Sequence, residues 1–279
     1  SNHMDVPFCL MWANHDWREW FPIKFNVEPH VIWPAKITPE EFDEMTDMVI
    51  EKYFKHPAYY LIEDKPFFSI ISIRKFIEGF DSVDDAVKAM NRFRQKTVAA
   101  GFPGLHLNLV DIRHALSRNS GSLQMFLDYL ERFDANSMNT YNMEYKRFDD
   151  FPTVEYKKVL GAAEKEWRSI ANKYETPFYP TIAMGWDLTP RIVQSDRFVK
   201  GNRYPFLAVY GNNTPEQWKL GLKNLKQCLD DDINPDNIAI INAFNEWTEG
   251  SYLEPDTQHG MGYLEAIREV FGIQNIKEN

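Results

Sequence analysis

The sequence is poor in cysteine, with only Cys9 and Cys228 among 279 residues. Two thiols so far apart make no disulfide framework, and neither a CxxC pair nor the Cys/His spacing of a zinc site is present. The sequence therefore leaves the cellular compartment open. No run of 18 apolar residues occurs, so no membrane span is predicted. We also expect no bound metal and no cofactor.

Basic residues are outnumbered by acidic ones, 31 to 41, which gives a formal net charge of −10. A field of this sign repels phosphate backbones, so a nucleic-acid partner is not expected. No GxGxxG or GxxxxGK[ST] loop follows a strand-like run, which argues against a nucleotide-binding doubly wound fold. No GxSxG turn is present either, and this argues against a serine hydrolase. These features leave the oligomeric state undetermined.

Aromatic residues, in contrast, are abundant: 8 Trp, 13 Tyr and 20 Phe. Such an excess fits a heavy core or a cleft that stacks on sugars, and the core is the commoner explanation. The length suits one large α/β domain. Ser1–Met4 resembles an expression scar, so we predict a single domain over residues 5–279.

Apolar runs of strand length alternate with amphipathic segments of helical spacing. The strand-like runs are Val6–Ala13, Pro66–Ile73, Leu105–Val110, Ser137–Tyr141, Phe178–Met184, Phe206–Tyr210 and Ile238–Phe244. The helical segments include Phe42–Tyr53, Val83–Phe93, Leu123–Leu130, Val159–Ile170, Trp218–Leu225 and Leu264–Phe271, two of them capped from Thr38 and Thr214. This alternation predicts an α/β fold of the (β/α)8 TIM-barrel type. About six βα units are visible, so we expect the barrel to be incomplete at its N-terminus.

Two acids follow the last strand-like run, in the segment Asn245-Glu246-Trp247-Thr248-Glu249-Gly250. Burial of acidic side chains at the end of a core strand costs free energy of desolvation, so their presence there favours a functional role. Glycoside cleavage requires two carboxyl groups on opposite sides of the scissile bond. Glu246 and Glu249 would stand ~10 Å apart on an extended strand, so the chain must curl there, and Gly250 allows such a bend. We interpret them as a catalytic pair, against the alternative of a loop with two solvated acids.

Polar and aromatic residues also follow earlier strand-like runs, at positions that ring the catalytic mouth in a barrel. Indole faces offer platforms for sugar C–H bonds, and amides, acids and imidazoles bind hydroxyls. We expect substrate binding from Trp12, Asn14, His15, Asp16, Tyr141, Asn142, Trp186, Asp187, Arg191, Asn245 and Trp247. The alternatives are packed tryptophans, ordinary loop residues and a structural pair of Asp187 with Arg191. A metal at His15 and Asp16 is not predicted, since only two ligands lie near each other in sequence.

Three segments carry a resemblance to a known family: Pro7–Asn14, the stretch Gly185–Arg191 with its Gly-Trp-Asp and Thr-Pro-Arg triplets, and Ile241–Asp256. Together they resemble the WbsX-type, glycoside hydrolase family 99-like domain, over Pro7 to about Phe271. Members usually carry the first barrel strands before the segment at Pro7, in agreement with the unit count. Thr248 departs from the pattern, because family 99 enzymes usually have His there.

The resemblance implies a (β/α)8 barrel that acts on α-mannosides within a glycan and retains the anomeric configuration. It implies that Glu246 is the base, acting on the sugar's own 2-hydroxyl, and that Glu249 is the acid. We therefore expect a glycoside hydrolase with a carbohydrate substrate. One alternative is a glycosyltransferase of surface-polysaccharide biosynthesis, which would need a sugar-nucleotide site. The other is a sugar-binding barrel without catalysis.

Overall fold

The computed structural model of the protein describes residues 6–112, 116, 121–143, 148–201 and 204–272. The chain divides into two compact units. The first contains Ser1–Trp17 and Val31–Asn139, and the second contains Arg18–His30 and Thr140–Asn279. The single domain expected over residues 5–279 stays a prediction.

Strands and helices alternate along the described residues. The strands are β1 (Leu10–Trp12), β2 (Trp17–Arg18), β3 (Val31–Trp33), β4 (Leu61–Ile62), β5 (Lys65–Ile70), β6 (His106–Asp111), β7 (Ser137–Thr140), β8 (Thr153–Glu155), β9 (Phe178–Tyr179), β10 (Thr181–Ala183), β11 (Val209–Gly211), β12 (Ile240–Asn242), β13 (Asn245–Glu246) and β14 (Ser251–Tyr252). The helices are α1 (Pro39–Val49), α2 (Ile73–Ile77), α3 (Val83–Ala99), α4 (Gly121–Arg132), α5 (Tyr156–Lys173), α6 (Pro215–Asp230) and α7 (Gly262–Phe271). None of these helices is long and apolar enough to cross a membrane.

The first unit is built on a sheet in which β5 lies between β1 and β6, parallel to both, with β7 beside β6. Leu10 lies opposite Phe68, and Phe67 lies opposite His106. β4 pairs antiparallel with the first residues of β5, with Leu61 opposite Pro66. The α/β class with a parallel sheet is therefore confirmed, while closure into an eight-stranded barrel stays a prediction.

Much of the aromatic excess lies in the core of the first unit. The ring of Phe42 packs 4.7 Å from that of Phe76, and Phe93 lies 5.4 Å from Phe68 and 5.8 Å from Phe54, measured between centroids. All five side chains are buried. Rings at these separations bury large apolar areas and add favourable edge-to-face or offset contacts. These rings therefore support the core explanation of the aromatic excess.

The second unit contains two parallel strand pairs, β8 with β11 and β10 with β12. Its helix α5 buries the predicted apolar stripe, and the Trp218 indole of α6 donates a hydrogen bond to the carbonyl of Tyr263 in α7. The pairing of β12 with β10 places the end of β12 inside this unit. The segment that follows β12 carries the two predicted catalytic acids.

Candidate active site

The chain reverses direction directly after β12, in a short antiparallel hairpin. β13 and β14 pair with Asn245 opposite Tyr252 and Glu246 opposite Ser251. A single 3-10 turn, Trp247–Glu249, connects them. The chain thus curls between the two glutamates, as the sequence required. Glu246 directly precedes this turn and Glu249 ends it, so only a single short turn separates the two glutamates.

The hairpin depends on Gly250, which ends the turn in the left-handed region with φ of +61°. A Cβ at this position would lie 2.6 Å from the Cβ of Asp187 and 2.7 Å from its nitrogen, so no side chain fits. The close approach allows the Asp187 amide to donate a 2.6 Å hydrogen bond to the Glu249 carbonyl. This contact fixes the backbone of Glu249 against the segment that follows β10.

Arg191 joins the two carboxylates. Its Nη2 lies 3.1 Å from Glu246 Oε1 and 3.6 Å from Glu249 Oε1, so these two oxygens can be no more than about 6.7 Å apart. The Arg191 side chain is 14% exposed. The guanidinium also lies over two aromatic rings, 5.3 Å from the centroid of Phe21 and 5.5 Å from that of Tyr204, where the negative ring faces favour a cation.

Thr248 lies between Arg191 and Glu246 and hydrogen-bonds to both. Its hydroxyl donates a 2.7 Å bond to Glu246 Oε1 and accepts from Arg191 Nη2 at 2.7 Å and Nε at 3.1 Å. A hydroxyl can donate once and accept twice, so these three bonds use its full capacity. The residue at the position that departs from the family 99 pattern therefore fixes one carboxylate oxygen of Glu246.

The environment of Glu249 differs from that of Glu246. The Glu246 side chain is 40% exposed, whereas that of Glu249 is 7% exposed. Burial raises the pKa of Glu249, and this effect outweighs the opposing influence of Arg191 and of the Tyr204 hydroxyl, which donates a 2.9 Å hydrogen bond to Oε1. The Tyr141 hydroxyl lies 3.5 Å from Oε2. Glu249 is thus a carboxyl group that retains its proton more readily than an ordinary glutamic acid.

The hydroxyls of the two tyrosines stay protonated and act as hydrogen-bond donors. Burial, and secondly the nearby Glu249 charge, raises the pKa of both Tyr141 and Tyr204. Tyr204 was not predicted from the sequence, because it lies in an irregular stretch between β10 and β11 that shows no periodic pattern. Phe21 and the role of Thr248 were also missed. The sequence indicated a role for Thr248 only through its position between the two glutamates.

The remaining predicted residues of the second unit have mixed surroundings. Asp187 accepts hydrogen bonds from the amide and hydroxyl of Thr189, and Arg191 pairs with the glutamates, so the alternative of a structural Asp187–Arg191 pair is not what the structure has. Trp186 is buried, with 2% exposure. Asn142 is also buried; its Oδ1 accepts from the Met143 amide, and its Nδ2 has no hydrogen-bond partner among the described residues.

Asn245 and Trp247 lie at the surface of the hairpin. The Trp247 ring stacks on Tyr252 with centroids 3.7 Å apart and planes 12° apart, and its Nε1 donates to Glu254 at 2.6 Å. An indole that is fixed on one face and 44% exposed can present the rest of its surface to a ligand. Sugar contact at both residues stays a prediction.

Four predicted binding residues belong to the first unit. Trp12 stacks on Phe42 at 5.9 Å, and the Asn14 side chain exchanges two hydrogen bonds with the backbone of Ser72. Asp16 Oδ1 accepts from the Ala35 amide, and Oδ2 lies 3.4 Å from Lys75 Nζ. His15 is exposed. Asn14 and Asp16 therefore hold local structure, and a role for any of the four in substrate binding stays a prediction.

Within the described residues, no group of three or more His, Cys, Asp or Glu side chains is arranged to hold a metal ion. The groups at the site are two carboxyls, a guanidinium, two phenols and a hydroxyl. The Glu249 carboxyl is buried and retains its proton more readily than usual, and the Glu246 carboxyl is accessible and pairs with Arg191. This combination can carry out acid and base steps in a single reaction.

Comparison with known proteins gives one family match and distant structural likenesses. The family described as "Glycosyltransferase WbsX" matches residues 1–267. Two curated relatives, both described as "Uncharacterized protein WxcX" and from two strains of Xanthomonas campestris pv. campestris, are 25% identical over 278 residues. That alignment covers 95% of this chain and 34% of each relative, so the chain spans about a third of the length of the curated relatives it matches.

Among solved structures, the chain is similar to the GH99 endo-alpha-mannosidase from Bacteroides thetaiotaomicron. The TM-score is 0.49 at 15% identity, over 85% of this chain and 62% of that chain. A second structure of that enzyme, in complex with bis-tris-propane, gives a TM-score of 0.48 at 14% identity, over 85% of this chain and 65% of that one.

Proposed function

Because the chain belongs to the glycosyltransferase WbsX family, we propose that it is a carbohydrate-active enzyme, and specifically that it hydrolyses glycosidic bonds with Glu246 and Glu249. The observation that carries the proposal is the pair of carboxyl groups joined by Arg191 and held in unlike environments. A buried, proton-retaining acid beside an accessible carboxylate is the combination that glycoside cleavage requires. The proposed reaction uses no cofactor.

Glu249 is the proposed general acid. Its raised pKa favours the protonated form, which can give a proton to the oxygen of the departing sugar. Tyr204 donates to Oε1 at 2.9 Å, whereas Oε2 has the longer, 3.5 Å contact with the Tyr141 hydroxyl, so we assign the transferred proton to Oε2. After the leaving group has gone, the same carboxylate can accept a proton from water, because acid and base roles exchange between the two half-reactions.

Glu246 is the proposed base. Arg191 and Thr248 both hydrogen-bond to its Oε1, which leaves Oε2 for the substrate. In an α-mannoside the 2-hydroxyl and the leaving oxygen are trans and diaxial, so a base that removes the 2-hydroxyl proton lets that oxygen displace the leaving group from C1. The resulting 1,2-anhydro sugar is then opened by water, which restores the starting configuration.

The proposal of retention follows from the anhydro-sugar route. Displacement of the leaving group by the 2-oxygen inverts C1, and opening of the anhydro ring by water inverts it again, so the starting configuration returns. Arg191 holds the two Oε1 atoms within about 6.7 Å of each other, so both carboxyl groups are close enough to act on one sugar unit. This route requires neither the ~5–5.5 Å separation of other retaining enzymes nor the ~6.5–9.5 Å separation of inverting enzymes.

A glycosyltransferase is the second candidate, and the description of the family favours it. A transferase would use the same two acids to activate an acceptor hydroxyl, but its donor phosphates would need cationic partners. Arg191 is the cation described between the two glutamates, and two carboxylates already share it. The charge at this site therefore suits a neutral sugar better than a sugar diphosphate.

The two candidates separate in one experiment. The protein is incubated with α-linked manno-oligosaccharides of several linkages, and proton NMR follows the anomer that is released first. A parallel incubation supplies GDP-mannose with an oligosaccharide acceptor. We expect hydrolysis with the α-anomer released first, and loss of that activity in Glu246→Gln. Release of GDP with extension of the acceptor, and no hydrolysis, would replace the hydrolase by the transferase. Binding of oligosaccharide without turnover in either incubation would contradict both.

A further inference from the structure

The two most exposed tryptophans among the described residues, Trp17 and Trp33, line one groove in the first unit. Their exposed fractions are 66% and 71%. Trp12, half-buried against Phe42, lies in the same lining. The groove has a volume of about 320 Å³, at the lower end of the ~300–1,000 Å³ typical of small-molecule sites. We propose that this groove is a binding subsite for a short, uncharged stretch of a glycan chain.

The groove is held in shape by its surroundings. The Asp16 carboxylate accepts a 3.0 Å hydrogen bond from the Ala35 amide and lies 3.4 Å from Lys75 Nζ. These contacts fix the chain next to Trp17 against the chain that follows Trp33. The two indoles therefore lie on segments whose backbone is held in place. They stay exposed even though exposure to water is unfavourable for apolar side chains of this size.

The chemistry of the lining selects the ligand. An indole face is flat and apolar, and it matches the face of a hexose that carries C–H bonds, while its N–H offers a polar edge. The lining also includes three exposed polar side chains, His15, Lys36 and Glu41, which can form hydrogen bonds with sugar hydroxyls. Lys36 and Glu41 carry opposite charges, so these two lining side chains carry no net charge between them. A neutral sugar chain fits this arrangement better than a phosphate-bearing or carboxylate-bearing one.

The choice of a glycan as ligand rests on the proposed function, but the groove and its aromatic lining do not. None of Trp17, Trp33, Lys36 or Glu41 is part of the proposed acid and base machinery. The subsite would hold sugar units in addition to those at the glutamates, and it predicts a substrate that is a chain instead of a single sugar.

The test uses linear α-linked mannotetraose, titrated calorimetrically into the Glu249→Gln protein so that the ligand stays intact. Trp17→Ala and Trp33→Ala are each expected to weaken binding roughly tenfold, the size of effect that one aromatic stacking contact can produce. Trp17→Phe and Trp33→Phe should retain most of the affinity, because they keep an aromatic face. Tyr60→Ala removes an exposed ring of the same unit outside the groove and should leave binding unchanged.

Equal affinity in the Trp17→Ala/Trp33→Ala double variant and its parent would overturn the subsite, as would tighter binding of an oligogalacturonate than of mannotetraose. A double variant that changes its sedimentation coefficient but not its affinity would show that the groove covers a second copy of the chain. Weakened binding in a protein that cleaves nothing leaves the subsite standing while the proposed hydrolase fails. If the wild-type protein cleaves the glycan but the tryptophan variants bind it as tightly as their parent, the proposed hydrolase stands and the subsite fails.

Discussion

At the scale of single residues, the site is governed by how its carboxyl groups are partnered. Glu249 is buried and receives hydrogen bonds from phenols, while Glu246 is accessible and receives them from Arg191 and Thr248. The two side chains are chemically identical, so any difference in their roles comes from their surroundings. Burial is the larger influence at Glu249, and the Tyr204 hydrogen bond opposes it.

Removal of the Tyr204 hydroxyl should therefore shift the pH dependence of the reaction. The hydrogen bond stabilises the Glu249 carboxylate, so Tyr204→Phe raises the pKa of Glu249 further above its ordinary value. An acid with a higher pKa remains protonated to higher pH. We expect the alkaline limb of the kcat/KM profile to move to higher pH in Tyr204→Phe, with the acid limb unchanged.

Tyr141→Phe provides a graded comparison, because its hydroxyl lies 3.5 Å from Glu249 and is the weaker donor. Its alkaline limb should move in the same direction by less. Tyr129→Phe, in the first unit, should leave the profile in place. Because Phe keeps the ring, an alkaline limb that does not move in Tyr204→Phe would show that burial, and not the Tyr204 hydrogen bond, controls the pKa of Glu249.

At the scale of elements, the site depends on one short hairpin. The turn Trp247–Glu249 ends at Gly250, whose left-handed conformation and contact with Asp187 exclude a side chain. The Asp187 amide then holds the Glu249 carbonyl. The position of the acid is thus set by backbone contacts between two loops of the second unit and not by a long regular strand.

Gly250→Ala should for this reason damage both stability and activity. A left-handed conformation costs an ordinary residue roughly 1–2 kcal/mol, and here the new Cβ would also overlap Asp187. Gly260→Ala is the matched control, since Gly260 has φ of +55° but nothing within 4 Å of the added Cβ. We expect a larger fall in Tm for Gly250→Ala than for Gly260→Ala, and a loss of activity confined to Gly250→Ala. Equal losses of Tm would mean that the Asp187 contact is unimportant.

The sequence predicted the long elements well because their periodicity is strong. Every strand-like run overlaps a strand, and the capping box at Thr38 is present, with Glu41 Oε2 accepting from the Thr38 amide at 2.8 Å. The short elements were missed. β13 and β14 have two residues each, too few for an alternating pattern, and the five residues of α2 are too few for an apolar stripe.

At the scale of the whole molecule, sequence could locate the glutamate pair but not its partners. Glu246 and Glu249 stand next to a predicted core strand, and adjacency in sequence is what a motif reports. Arg191 was predicted as a sugar-binding residue, yet it pairs with both acids, from about 55 positions away. Tyr204 lies in a loop without pattern. Contacts of this kind depend on tertiary packing, which local patterns in a single sequence do not reveal.

The central claim is that Glu249 supplies the proton in glycoside cleavage, and Glu249→Gln tests it most directly. The amide keeps the shape of the side chain but cannot donate an acidic proton, and loss of general acid catalysis typically costs ~10²–10⁴-fold in rate. The protein and the variant are compared on an ordinary α-mannoside and on one with an activated aryl leaving group, which needs little protonation.

We predict that kcat/KM of Glu249→Gln falls by ~10²–10⁴-fold on the ordinary substrate and much less on the activated one, with sugar binding preserved. A variant that cleaves the ordinary substrate at the wild-type rate, or that loses equal activity on both substrates, would contradict the assignment of Glu249 as the acid.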